Sequence, residues 1–105
     1  MYKIIRNSDS TVREIAETYQ ARNYITKDLS PNVSLAINTA KQHKELETTQ
    51  YDRIYYVIDG ELDITIEGET AKVNAGDSVF ISKGSEYHFG GTFEAVVVNQ
   101  PAFGA

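Results

Sequence analysis

Arg53 sits inside an aromatic run, Tyr51-Asp52-Arg53-Ile54-Tyr55-Tyr56-Val57-Ile58, whose residue types suit the recognition of an anion. In an extended strand, side chains two positions apart share a face, so Tyr51, Arg53, Tyr55 and Val57 point one way. Glu47 and Thr49 extend that row upstream. A guanidinium is planar, permanently charged and able to donate in pairs, which matches it to a carboxylate or a phosphate. Phenol hydroxyls beside it can complete the contact to a ligand oxygen. The competing role for Arg53 is an internal ion pair with Glu47, which satisfies two costly charges at once. The two roles are compatible if a ligand displaces Glu47. The tyrosines have a plainer role as well, as core rings whose hydroxyls reach water or backbone.

Other chemistry is thinly supplied. There is no cysteine, which excludes disulfides, thiolate nucleophiles and Cys-ligated zinc. The two histidines are far apart: His43 lies in the polar stretch KQHKELETTQ and is expected to be solvated. A metal set of His43, Glu45, Glu47 and His88 can be drawn, and it ranks last, because a transition metal needs a more ordered donor set. No glycine loop of the kind that cradles phosphates is visible. Asp77 and Ser85 belong to turns and are expected to bond local backbone amides.

The elements that must position these residues are short strands joined by tight turns. Tyr55-Tyr56-Val57-Ile58 is an unbroken β-favouring run, and Asp59-Gly60 after it predicts a hairpin turn. Leu62, Ile64 and Ile66 alternate with Asp63, Thr65 and Glu67, a strand with one dry and one wet face. Glu67-Gly68-Glu69, Gly76-Asp77 and Lys83-Gly84-Ser85 turn the chain again, with Ala71, Val73 and Val79-Phe80-Ile81 between them. Turn signals recur about every eight residues, which predicts an antiparallel sandwich or barrel. Residues 24–25 and 33–40 are predicted strands separated by the turn Ser30-Pro31-Asn32. Gly90-Gly91 is expected to turn the chain into a last strand from Phe93 to Asn99, ended by Pro101. Residues 1–6 are expected to form an edge strand that pairs with a neighbouring subunit or locally, or else a loose terminus. Thr11 with Glu14 makes a capping-box pattern, and Val12, Ile15, Ala16 and Tyr19 recur at helical spacing, so one short helix is predicted over residues 11–19.

The glycine spacing carries a family resemblance. Gly60 fits the glycine that ends the first motif of the cupin superfamily, and Gly76 and Gly84 fit those of the second. The metal-binding residues of those motifs do not follow: Arg53 stands at the glutamate position, Tyr87 at the second-motif histidine and Gly91 at the asparagine. The pattern YD-x-I, GEL, GET, AGD, KGS and FG, between Tyr51 and Phe89, is most similar to ethanolamine-utilisation cupins, which also lack the histidine cluster. The resemblance implies an all-β fold, a cupin-type double-stranded β-helix, or jelly-roll barrel, formed by residues 1–105 as a single domain. It places Arg53 inside the barrel and turns Tyr87 and Phe89 toward the same interior, with Tyr87 at the centre of the site. His88, directly after that position, is turned outward by alternation. No cofactor is expected.

Ile54, Tyr56 and Ile58 make the other face of the central strand apolar too, so that face needs a cover, either the predicted helix or a second copy in a homodimer. Composition bounds the rest. The hydrophobic share of 41% with 24% charged residues is that of an ordinary globular domain. A net charge of -5, with no basic run, argues against nucleic-acid partners. No apolar run approaches the roughly 20 residues of a membrane span, and the N-terminus lacks a signal-peptide pattern, so the cytoplasm is the expected location. Two function classes follow. The first is a metal-free small-molecule binding module that holds an anionic metabolite (a carboxylate, sugar acid or phosphate) on Arg53, Tyr87, Tyr55, Tyr51, Thr49 and Glu47. The second is a metal-independent enzyme, an isomerase, epimerase or lyase, with Tyr87 or Glu47 as acid or base and Arg53 steadying negative charge. The family resemblance adds an acetate kinase-like role to that second class. A purely structural subunit would instead have its interior filled by side chains.

Overall fold

The computed structural model describes residues 1–105 and is built almost entirely of antiparallel strands. They are β1 (Thr11–Ala16), β2 (Tyr19–Ile25), β3 (Ser34–Thr48), β4 (Asp52–Ile66), β5 (Glu69–Asn74), β6 (Ser78–Ile81) and β7 (Glu86–Gln100). Neighbours run β1-β2-β3-β7-β4-β5, and β6 adds to the first half of β4. The three 15-residue strands β3, β4 and β7 form the spine. The sheet folds on itself into the expected jelly-roll barrel, and inward side chains from β2 to β7 meet in one core that includes Tyr19, Tyr55, Leu62, Ile64, Phe89 and Phe93. No helix is long and apolar enough to cross a membrane.

The long strands bend where the register slips. β3 and β7 lose step between Ala40 and His43, and β4 and β7 between Val57 and Asp59. Each slip adds a residue and exchanges the inward and outward faces. Along β4 the inward set is Arg53, Tyr55 and Val57 before the slip, and Leu62 and Ile64 after it. Along β3 it is Ser34, Asn38 and Ala40, then His43. Gly60 is essential here: its φ is +79°, and a Cβ would collide with the Thr92 carbonyl oxygen of β7. Gly91, at φ +103°, meets the same constraint from the other side, with the Glu61 carbonyl 2.6 Å from where its Cβ would be.

Three local expectations change. Residues 11–19 are not a helix: they form β1 and its turn into β2, with Ala16 opposite Tyr19. The only helical turn is a 3₁₀ turn at Asn7–Asp9. The helical spacing was met, but the β1 amides find their partners across the ladder to β2, which leaves Val12 and Ile15 exposed. Asp59-Gly60 and Gly90-Gly91 are likewise not turns between strands. Positive φ serves a bulge as well as a hairpin, and both pairs lie within continuous strands, β4 and β7. The polar stretch that begins at Lys41 is mostly the second half of β3. By contrast, Glu67-Gly68 does join β4 to β5, with both residues at positive φ. Residues 1–6 form no strand within the chain. With no helix to cover it, the outer face of β4 and β6 leaves Ile54, Tyr56, Ile58 and Phe80 exposed, Phe80 by 63%.

Candidate functional site

Three adjacent strands build the site around Arg53. On β4 it lies opposite Asn99 of β7, and Tyr87 of β7 lies opposite Glu47 of β3. Those cross-strand neighbours become its ligands. Arg53 Nε donates to Asn99 Oδ1 at 2.7 Å, and Nη1 donates to Glu47 Oε1 at 2.5 Å and to the Tyr87 hydroxyl at 2.9 Å. The Tyr87 and Tyr55 hydroxyls bond each other at 2.7 Å. Arg53 is only 4% exposed. Its Nη2 group takes no part in these bonds, and the Nη2 atom is not sealed from the cavity that Arg53 lines. Two of its five N–H donors are therefore free for a guest.

Burial works to lower the Arg53 pKa, but the Tyr55 and Tyr87 phenols and the Glu47 carboxylate more than offset it, so the guanidinium stays charged. Burial pushes the Tyr55 phenol well above its ordinary value. It also raises Tyr87, against the partial relief that Arg53 provides. Both phenols are thus neutral hydrogen-bond partners at physiological pH, suited to donating a proton and not to removing one.

The cavity beside Arg53 encloses about 160 Å³. Tyr19, Asn38, Glu45, Glu47 and Tyr55 line it with Arg53. The slip in β3 explains how even-numbered Asn38 and odd-numbered Glu45 and Glu47 reach the same space. Asn38 Nδ2 donates to the Tyr19 hydroxyl at 2.6 Å, while Asn38 Oδ1 is buried without a partner. Burial pushes the Tyr19 phenol far above its usual range.

His43 is not solvated. It is buried and stacks on Tyr19, with ring centroids 4.5 Å apart and planes 11° from parallel. Its Nε2 faces Glu45 Oε1 at 2.8 Å and its Nδ1 faces the Thr18 hydroxyl at 2.8 Å. A carboxylate accepts, so the proton between them is carried on Nε2. His88 stands apart, exposed on the outer face of β7. Of the drawn metal set, only His43 and Glu45 meet, because Glu47 is held by Arg53. No group of three or more histidines and carboxylates is placed to hold a metal. The metal centre common among cupins does not fit these residues, since the guanidinium at its heart would repel a cation.

Of the six residues expected to hold the ligand, Arg53, Tyr55 and Glu47 line the cavity. Tyr87 lies behind Arg53 and positions it. Thr49 closes a local turn, its hydroxyl donating to the Tyr51 carbonyl and accepting the Tyr51 amide. The Tyr51 hydroxyl accepts from the Gly104 amide at 2.7 Å, and its ring packs on Phe103. Asn38, Tyr19 and Asn99 were missed. A trace of them lies in the alternation Ser34, Ala36, Asn38, Ala40, where small inward residues leave room for a void.

Over residues 7–102 the sequence matches the family model described as ethanolamine utilisation protein EutQ. The chain belongs to the EutQ family. It is 41% identical over 69 residues to acetate kinase EutQ of Clostridioides difficile strain 630, covering 61% of this chain and 44% of that protein. The chain thus spans less than half the length of that curated relative. The solved structure of the Clostridium difficile EutQ protein superposes with a TM-score of 0.76 at 29% identity, over 95% of this chain and 82% of that one. An RmlC-like cupin from Shewanella frigidimarina superposes at 0.77 with 15% identity, over 90% of this chain and 86% of that one, a likeness of fold alone. This EutQ-family chain therefore has the fold of that cupin.

Proposed function

We propose that this EutQ-family cupin binds a small anionic metabolite without a metal, holding its carboxylate, sugar-acid or phosphate group on Arg53. The observation that carries the reading is the unspent Nη2 group of a buried, charged guanidinium at a cavity of about 160 Å³. A charge-assisted hydrogen bond to Nη2 is strong, and an anion becomes bidentate across Nη1 and Nη2 once Glu47 gives up its place. Tyr55 donates a further hydrogen bond, Glu47 yields or shares its place on Nη1, and Asn99 and Tyr87 keep the guanidinium aimed.

Calorimetric titration of the wild-type protein with acetate, gluconate and inorganic phosphate tests it. At least one should bind saturably, and Arg53→Met should weaken that binding by about a hundredfold, the cost of a lost charged, bidentate pair. Binding that survives in Arg53→Met, or no binding of any small acid, refutes the proposal.

A second reading is favoured by the name of the Clostridioides difficile relative, acetate kinase EutQ. Here acetate would sit on Arg53 and take a phosphoryl group from a nucleoside triphosphate. Production of acetyl phosphate from ATP and acetate by the purified protein, abolished in Arg53→Met, would establish it. No acetyl phosphate above a protein-free control would remove it. The exposed face of Ile54, Tyr56, Ile58 and Phe80 supports a homodimer in either case.

A further inference from the structure

We infer that Asn38 and Tyr19 form a hydroxyl-recognition subsite, so that the guest of the Arg53 cavity is a hydroxylated acid. The inference rests on the Arg53 reading and narrows its ligand class. Asn38 is 8% exposed and Tyr19 6%, and both line the cavity. Asn38 Oδ1 is the one buried side-chain polar atom in the chain left without a hydrogen bond. Its neighbours cannot supply one. Across the sheet Asn38 faces Ala21 on β2 and Ala95 on β7, and neither side chain has a polar atom.

The Asn38–Tyr19 bond leaves a defined remainder. With Nδ2 donating to the phenol oxygen, Oδ1 is a free acceptor and the Tyr19 O–H is a free donor, since no other bond to that hydroxyl is made. Turning the amide over exchanges the roles. Tyr19 then donates to Oδ1, the amide N–H is the free donor and the phenol oxygen the free acceptor. Either way the pair presents an acceptor beside at least one donor. A single hydroxyl supplies both complements on one atom, while a carboxylate or ketone only accepts and an ammonium only donates. A ligand hydroxyl here reproduces the bonds of any water it displaces.

Spacing sets the kind of acid. Asn38 is opposite Ala95, and Asn99, which aims Arg53, is four positions further along β7. The two ends of the site are therefore offset by about 13 Å of backbone, and the long side chains of Arg53 and Tyr19 reach into that gap. The anion and the hydroxyl of the guest are separated by several bonds.

Calorimetric titration of the full chain with the straight-chain acids from acetate to hexanoate, beside their ω-hydroxy counterparts from glycolate to 6-hydroxyhexanoate, tests the subsite. At one chain length the hydroxy acid should bind at least about tenfold tighter than its parent acid. Asn38→Leu and Tyr19→Phe should each bring that ratio to within about threefold of unity, with the parent acid's own affinity kept within about threefold. Tyr19→Phe preserves the ring stacked on His43, so it remains informative should Asn38→Leu fold poorly. Equal binding of both series at every length, or a hydroxyl preference that persists in a folded variant, overturns the inference. Acids that bind through Arg53 without hydroxyl preference sink only this subsite. If neither series binds wild type, this inference falls, and the Arg53 reading falls with it only if gluconate and inorganic phosphate also fail to bind.

Discussion

Replacing Tyr87 by phenylalanine removes one oxygen from the centre of the Arg53 network and leaves the ring in place. The side chain is 1% exposed, so water cannot stand in for the lost hydroxyl without repacking. Two bonds disappear, the one accepted from Arg53 Nη1 at 2.9 Å and the one shared with Tyr55 at 2.7 Å. A hydrogen bond to a charged group is worth about 1.5–3 kcal/mol and a neutral one about 0.5–1.5, so Tyr87→Phe should cost about 2–4.5 kcal/mol. That is a large share of the roughly 5–15 kcal/mol that stabilises a domain. Tyr55→Phe loses only the shared bond and should cost about 0.5–1.5 kcal/mol. In the double variant that bond is lost once, so the combined cost should fall short of the sum by about 1 kcal/mol. Urea unfolding of the four proteins at neutral pH measures all three quantities. A Tyr87→Phe cost below about 0.5 kcal/mol, or strict additivity of the pair, would refute the claim that this hydroxyl ties Arg53 to Tyr55.

Alkaline pH provides a second check. Tyr19, Tyr55 and Tyr87 have pKa values raised by burial, so the folded chain keeps these phenols neutral where the unfolded chain ionises them. Their contribution to stability is intact below about pH 10, the unfolded value, and is lost as pH climbs above it. The urea midpoint should fall from about pH 10 upward, and one that stays level through about pH 11.5 contradicts the buried network. Gly60→Ala should destabilise by about 2–4 kcal/mol, because positive φ and the Thr92 carbonyl both exclude a Cβ; near-neutral unfolding data would show that β4 does not cross β7 there. Phe80→Asp should convert a dimer to a monomer in light scattering, and a wild-type protein that already scatters as a monomer ends the homodimer proposal.

Much of the framework was legible along the chain. Turn glycines at Gly68, Gly76 and Gly84 mark positions of positive φ, and such a requirement is local, set by one residue and its neighbours. The face shared by Arg53, Tyr55 and Val57 was legible for a similar reason, since alternation follows from backbone geometry. Residues 11–19 misled because a helical repeat in one short segment specifies only where apolar groups fall. It does not say whether the amides bond within the segment or across to β2. Gly60 and Gly91 misled because left-handed glycine marks a bulge as readily as a turn, and only the strand lying across it tells them apart.

The fold class, the turns at Gly68, Gly76 and Gly84 and the inward aim of Arg53 belong to the sequence, being consequences of local backbone preference and strict period-two alternation. What surrounds Arg53 was decided in three dimensions. The slips in β3 and β4 exchange faces part-way along a strand. That exchange buries His43 against Tyr19 and places Glu45 and Glu47 in the same cavity as Asn38, while the turn between β3 and β4 carries Thr49 and Tyr51 outside it. Alternation cannot be carried past a bulge whose position depends on a neighbouring strand, so the partners of a buried charge become visible only once the strands have paired.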